Sequence, residues 1–139
     1  MLRIPLALLL CFGSIGVSFC QVQPPSAPAD HRKPATHDEE RLMTWKLAFA
    51  IEDAGGGYTR EALSRFSWIN KELNRREYSL NTRWTAHYWY AQALLDSGKP
   101  KAALEVLRVA QQEADSLSEK ERNQTAKLIQ KAQELPVTK

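Results

Sequence analysis

The chain has 139 residues, with 19 basic and 16 acidic side chains, 43% hydrophobic and 25% charged residues, a composition that fits one soluble globular domain. The net charge of +3 is too weak for the basic stripe of a nucleic-acid binder, so no nucleic-acid partner is expected. Both cysteines, Cys11 and Cys20, fall in the first twenty residues, so beyond them there is no disulfide, no thiolate metal ligand and no cysteine nucleophile.

Residues 1–20 read as an export signal. Arg3 supplies one positive charge, and residues 4–20 (IPLALLLCFGSIGVSFC) carry none, the n-region and h-region order of a signal segment. Gly13, Ser14, Gly16 and Ser18 dilute its second half, which favours export over a spanning helix of ~20 apolar residues. Two processing routes are open. Cleavage after Cys20 places Ser18 and Cys20 at the small-residue positions of an ordinary cleavage site. Alternatively, Val17-Ser18-Phe19-Cys20 resembles a bacterial lipobox, with Phe19 standing where a small residue is usual. That resemblance implies lipidation at Cys20 and a membrane contact through the lipid. Gln21 after the cysteine would then favour the outer membrane.

Residues 21–37 hold Pro24, Pro25, Pro28 and Pro34 among small and charged residues. Proline fixes φ and removes the backbone donor, so this stretch reads as an extended, flexible tether.

The helical body follows as 38–135, with 136–139 as a tail. Helix 1 spans Asp38 to Ala54. Met43, Leu47, Ala50, Ile51 and Ala54 lie on one face, and Leu42, Trp45 and Phe49 form a second apolar stripe, which implies neighbours on more than one side. Gly55-Gly56-Gly57 ends it. Helix 2 spans Thr59 to Asn74, with Thr59 as candidate N-cap and Ala62, Phe66, Ile69 and Leu73 on its buried face. Helix 3 runs from Asn81 or Thr82 to Ser97, with Trp84, Tyr88, Ala91 and Leu95 on one face, and Gly98 closes it. Helix 4 runs from Lys101 to Ser116 behind Pro100, a residue suited to a helix start. Ala103, Leu104, Leu107 and Ala110 face inward. Helix 5 runs from Ser118 to Leu135, opened by Ser118 and Glu121 as a capping box. Its outer face carries Lys120, Arg122, Lys127 and Lys131.

Helix 3, Gly98 and helix 4 place Ala91 and Leu94 on the first helix, a glycine in the turn, and Ala103, Leu104, Leu107 and Ala110 on the second. This pattern resembles a tetratricopeptide repeat (TPR). Helix 1, Gly57 and helix 2 resemble it through Ala50, Gly57, Ala62, Leu63 and Phe66, with Asp53 where a large apolar residue is usual. The equivalent Ala62 and Ala103 are 41 positions apart, against about 34 for contiguous repeats. The loop Glu77-Tyr78-Ser79-Leu80 takes up the excess. Small residues let helix axes approach, large ones fill the gaps beside them, and a lone hairpin cannot bury its apolar face. The expected fold is therefore all-α: antiparallel helical hairpins stacked as two TPR-like repeats plus a C-terminal capping helix.

No catalytic constellation is visible. His31 and His37 lie in the tether. His87 has no HExxH partner, so packing is its reading. The glycine run is followed by no Lys-Ser/Thr, so it is no phosphate loop. Asn123-Gln124-Thr125 is a formal glycosylation sequon inside a helix. No enzyme activity, metal or cofactor is expected. Ten aromatic residues lie between Trp45 and Tyr90 and none beyond. Tyr88, Trp89 and Tyr90 sweep about 200° around a helix, so one of them must reach the surface or an interface. In the resembled family the first helix of each pair lines the concave face. The resemblance therefore implies a partner-binding surface of Thr44, Leu47, Ile51, Thr85, Tyr88, Trp89, Gln92 and Leu95. The competing reading for these residues is packing against helix 5. The expected function is an envelope adaptor that binds another envelope protein, in the manner of an assembly or pilot factor for a secretion or pilus complex. The alternative is a structural accessory subunit of an envelope enzyme or cell-wall complex. Oligomer formation is compatible with either.

Overall fold

The computed structural model describes residues 32–136. The export segment, Cys20 and the tether as far as residue 31 lie outside the described residues, as do residues 137–139. Two two-residue strands, β1 (Lys33–Pro34) and β2 (Arg76–Glu77), accompany five helices: α1 (His37–Gly55), α2 (Thr59–Leu73), α3 (Leu80–Asp96), α4 (Pro100–Asp115) and α5 (Glu119–Glu134). The fold is all-α. Each helix packs against the next, α3 touches both α1 and α5, and α2 and α4 do not meet. One row therefore holds α1, α3 and α5, and a second row holds α2 and α4.

The turns follow from local chemistry. Gly57 (φ 83°) and Gly98 (φ 73°) are the described residues with positive φ, the left-handed conformation that glycine reaches without a Cβ penalty. Each lies just beyond the first helix of a hairpin. Pro100 occupies the first turn of α4, where a missing N–H costs nothing.

The body begins earlier than the tether reading placed it. Lys33–Pro34 pairs in parallel with Arg76–Glu77, and the Ala35 N–H donates to the Glu77 carbonyl at 2.9 Å. Pro34 fits because it sits on an edge strand. Arg32 donates to the carbonyl of Leu73, the last residue of α2. Thr36 is the N-cap of α1 and closes a capping box with Glu39, the Thr36 N–H reaching the Glu39 carboxylate at 2.8 Å. Residues 32–37 thus belong to the folded body, so its start moves from 38 to 32. Thr59 is the first helical residue of α2. The cap is Tyr58, which makes no side-chain cap bond. At α5 the Ser118 hydroxyl accepts from the Lys120 N–H at 3.2 Å and bonds the Glu121 carboxylate.

Two larger apolar clusters, and a smaller one of Trp84, Ala110 and Ala114, hold the rows together. Met43, Leu47, Ala50, Ala62, Phe66, Ile69 and Leu73 join α1 and α2 to Ala86 and Ala93 of α3. Ala91, Leu94 and Leu95 of α3 meet Ala103 and Leu107 of α4 and Leu128 and Ala132 of α5. Ala50, Ala62, Ala91, Ala103 and Ala110 are fully buried, as close approach of helix axes requires. Phe66 stacks on Tyr90 at 5.9 Å between centroids, which joins α2 to α3. Among the described residues, no helix is long and apolar enough to cross a membrane.

Two polar clasps tie the helices together, one within a row and one across the two. The Glu40 carboxylate at the start of α1 accepts from the Ser79 N–H (3.2 Å), the Ser79 hydroxyl (2.6 Å) and the Thr82 hydroxyl at the start of α3. Desolvation raises its pKa, but these bonds to the charged form outweigh that and hold it below the ordinary value of 4.5. Glu113 of α4 is 4% exposed. It accepts from Arg83 Nε at 3.0 Å and lies 2.7 Å from His87 Nδ1. His87 is therefore a packed residue, as read, with a buried carboxylate as its partner.

Candidate functional site

The row of α1 and α3 leaves a shallow groove of ≈ 240 Å³ lined by Thr44, Leu47, Ala48 and Ile51 of α1 and by Asn81, Thr82 and Thr85 of α3. No charged side chain lines it. Leu47 is buried and forms the floor, Ile51 and Thr85 are half-buried, and Thr44 is exposed. Thr44 donates its hydroxyl to the Glu40 carbonyl at 3.0 Å, and Thr85 donates to the Asn81 carbonyl at 2.7 Å. With those protons committed to their own helix, both threonines present an acceptor oxygen and a methyl group to the groove. The Glu40 clasp fixes the spacing of the two helices at one end, because Thr82 belongs to both the clasp and the lining.

The eight residues expected to bind a partner separate into two groups. Thr44, Leu47, Ile51 and Thr85 come together in the groove. Gln92 is half-buried, and its amide donates to Asp96 at 2.8 Å. Trp89 packs against the α1–α2–α3 cluster and meets Tyr88 edge to face at 5.7 Å. Tyr88 stacks on Trp84 at 5.2 Å and packs against the cluster that Leu128 and Ala132 complete. Burial raises its phenol pKa. Leu95 is only 4% exposed inside that cluster, so it is core and not a contact for a partner. The competing reading, packing against helix 5, holds for Tyr88 and Leu95: α5 packs against α3 through Leu128 and Ala132, and Trp84 Nε1–H, near the start of α3, donates to Thr125 Oγ1 at 3.0 Å. Cys20 lies outside the described residues.

Sequence reasoning missed one surface. Among the described residues, Leu42, Trp45 and Phe49 join none of the apolar clusters. They are 56%, 64% and 48% exposed on the outer side of α1. Trp68 of α2, 44% exposed, extends the patch, with Lys46 Nζ 3.7 Å above its ring. The stripe was legible as apolar, but periodicity reports an apolar face and not what covers it.

Among the described residues, no group of three or more His, Cys, Asp or Glu side chains is placed to hold a metal ion. The Glu113–His87–Arg83 cluster is buried between α3 and α4, where it acts as a helix clasp. Comparison with protein-family models, with curated proteins and with solved structures finds no match to this chain.

Proposed function

We propose that this chain is a non-enzymatic interaction module of TPR-like build that holds a short segment of another envelope protein in the groove between α1 and α3. The observation that carries this reading is the convergence of Thr44, Leu47, Ile51 and Thr85 on one open, uncharged groove. A small-molecule site typically encloses ~300–1,000 Å³, and this groove is smaller and open along its length. Its threonine acceptors suit backbone N–H groups, and its Leu47–Ile51 floor suits one or two apolar side chains of an extended or helical peptide. With two hairpins and a closing helix, the surface accommodates one short motif.

Assignment to the envelope rests on residues 1–20, and the same proposal makes Cys20 the candidate anchor. Mass spectrometry of the N-terminus purified from membranes distinguishes a lipidated Cys20 from a chain that begins at Gln21. The groove is tested by placing a photo-crosslinking residue at position 85, and separately at the exposed Arg108 beside the α4–α5 cleft, in cells. A discrete adduct at 85 that is lost with Ile51→Lys and absent at 108 supports the reading. Equal labelling at both positions, or none at 85, refutes it.

A further inference from the structure

The outer side of α1 presents an apolar row that no other described residue covers. Leu42, Trp45 and Phe49 follow one another at the i, i+3, i+7 spacing that lines one face of a helix, and all three are about half exposed or more. Trp45 and Phe49 lean on each other edge to face at 6.4 Å. The opposite side of α1 already packs into the core through Met43, Leu47 and Ala50. This row is therefore a surplus face at one end of the stack. The other end, the outer face of α5, is charged.

We propose that this face binds a second copy of the chain, with the two α1 helices antiparallel across a two-fold axis that passes near Trp45. A two-fold interface must be self-complementary, and the spacing along α1 meets that condition. With the axis between Trp45 and Lys46, Leu42 of one copy faces Phe49 of the other, and the two Trp45 rings meet at the centre. Arg41 and Glu52 lie on the same flank of the row, both exposed. In an antiparallel pair, residues on one flank face the same flank of the partner, so each Arg41 lies about 3 Å along the seam from the level of the other copy's Glu52, within side-chain reach. A parallel pair would carry Arg41 and Glu52 to opposite sides of the seam from their counterparts and would make no Arg41–Glu52 pair. Charge therefore complements the antiparallel arrangement. Lys46, nearest the axis on the other flank, is drawn over the Trp68 ring and so is kept off the seam.

The area is sufficient. Large side chains of this kind cover ~150–250 Å² each when fully buried, so the exposed parts of Leu42, Trp45, Phe49 and Trp68 offer roughly 400 Å² per copy. Interfaces are about 60% apolar, so the pair would bury roughly 1,300 Å² in total, within the ~1,200–2,000 Å² of stable assemblies.

The test is sedimentation velocity of the full chain over a concentration series, with far-UV circular dichroism of each variant as the folding control. All substituted positions are exposed, so helicity should be unchanged. Trp45→Ala should abolish the dimer. Arg41→Glu and Glu52→Arg should each weaken it about tenfold or more, since two symmetric attractions become two repulsions. Mixing the Arg41→Glu and Glu52→Arg chains should restore association, because both cross-pairs are then opposite in sign. The double variant Arg41→Glu/Glu52→Arg should also associate with itself, a recovery specific to a pair in which position 41 of one copy meets position 52 of the other. Wild-type chain that stays monomeric, Trp45→Ala chain that still dimerises, or charge variants that associate like wild type would each overturn the proposal, the last by pointing to a different partner or geometry.

Discussion

Glu113 shows how much of this fold rests on a single buried charge. Its carboxylate is 4% exposed and binds Arg83 with one oxygen and His87 with the other. The proton of the second bond sits on Nδ1, because an ionised carboxylate only accepts. Breaking such a buried group by removing its carboxylate costs ~3–5 kcal/mol when the site is fully dry. Arg83 retains 24% side-chain exposure and so recovers some solvation. Glu113→Ala should therefore lower unfolding stability by about 2–3 kcal/mol, read as a fall in the urea midpoint at unchanged slope. Glu113→Gln keeps an acceptor for Arg83 and should cost clearly less. Equal losses for the two variants would show that only packing volume matters here. None of this was legible in the sequence. His87 read correctly as packed, but Glu113 stands 26 residues away among the charged residues near the end of α4, and only the pairing of α3 with α4 makes it a core residue.

At the scale of elements, the punctuation of the chain was legible and the contacts that set helix spacing were not. Gly57, Gly98 and Pro100 announced the turns because each supplies a backbone geometry that other residues resist. Ala50, Ala62, Ala91 and Ala103 announced the close approaches. The Glu40 clasp that fixes α1 against α3 was silent, since it joins residues about forty positions apart whose side chains read as ordinary surface. It makes a pH expectation. The folded-state pKa of Glu40 is depressed below 4.5, so its contribution to stability is present above that value and is lost as pH falls through the folded pKa. Glu39 and Glu121 are shifted the same way, Glu39 first by its backbone bond to Thr36 and Glu121 first by its bond to Ser118. Unfolding stability should therefore fall as pH drops below about 4.5. Glu40→Gln should flatten the acid slope without removing it, because the other two remain. An acid slope identical in the variant would mean that Glu40 binds its proton alike in folded and unfolded chains.

For the whole molecule, the arrangement of five helices makes its two ends unequal. The half of the expected site on α1 and the N-terminal part of α3 stayed open, and the half containing Tyr88 and Leu95 was covered. The sequence could not decide between these outcomes, because nothing in α5's own pattern says which face of α3 it will meet. Its apolar residues, Leu128 and Ala132, would suit either side, and the Thr125 hydroxyl becomes informative only beside the Trp84 indole. The consequence is that α5 is a structural requirement and not an appendage. It covers Leu95, Ala103 and Leu107, all of them buried, and satisfies the Trp84 N–H. Each fully buried leucine contributes ~1.5–3 kcal/mol, so ending the chain at Ser116 withdraws on the order of 5 kcal/mol or more, comparable with the ~5–15 kcal/mol total stability of a domain this size. The shortened chain should lose its cooperative thermal transition and bind a hydrophobic dye, and the loss should extend to α1 and α2, because α3 is shared by both clusters. A truncated chain that keeps a sharp transition in α1–α3 would show instead that these three helices fold independently of α5, with α3 held by Phe66–Tyr90 and the Glu40 clasp alone.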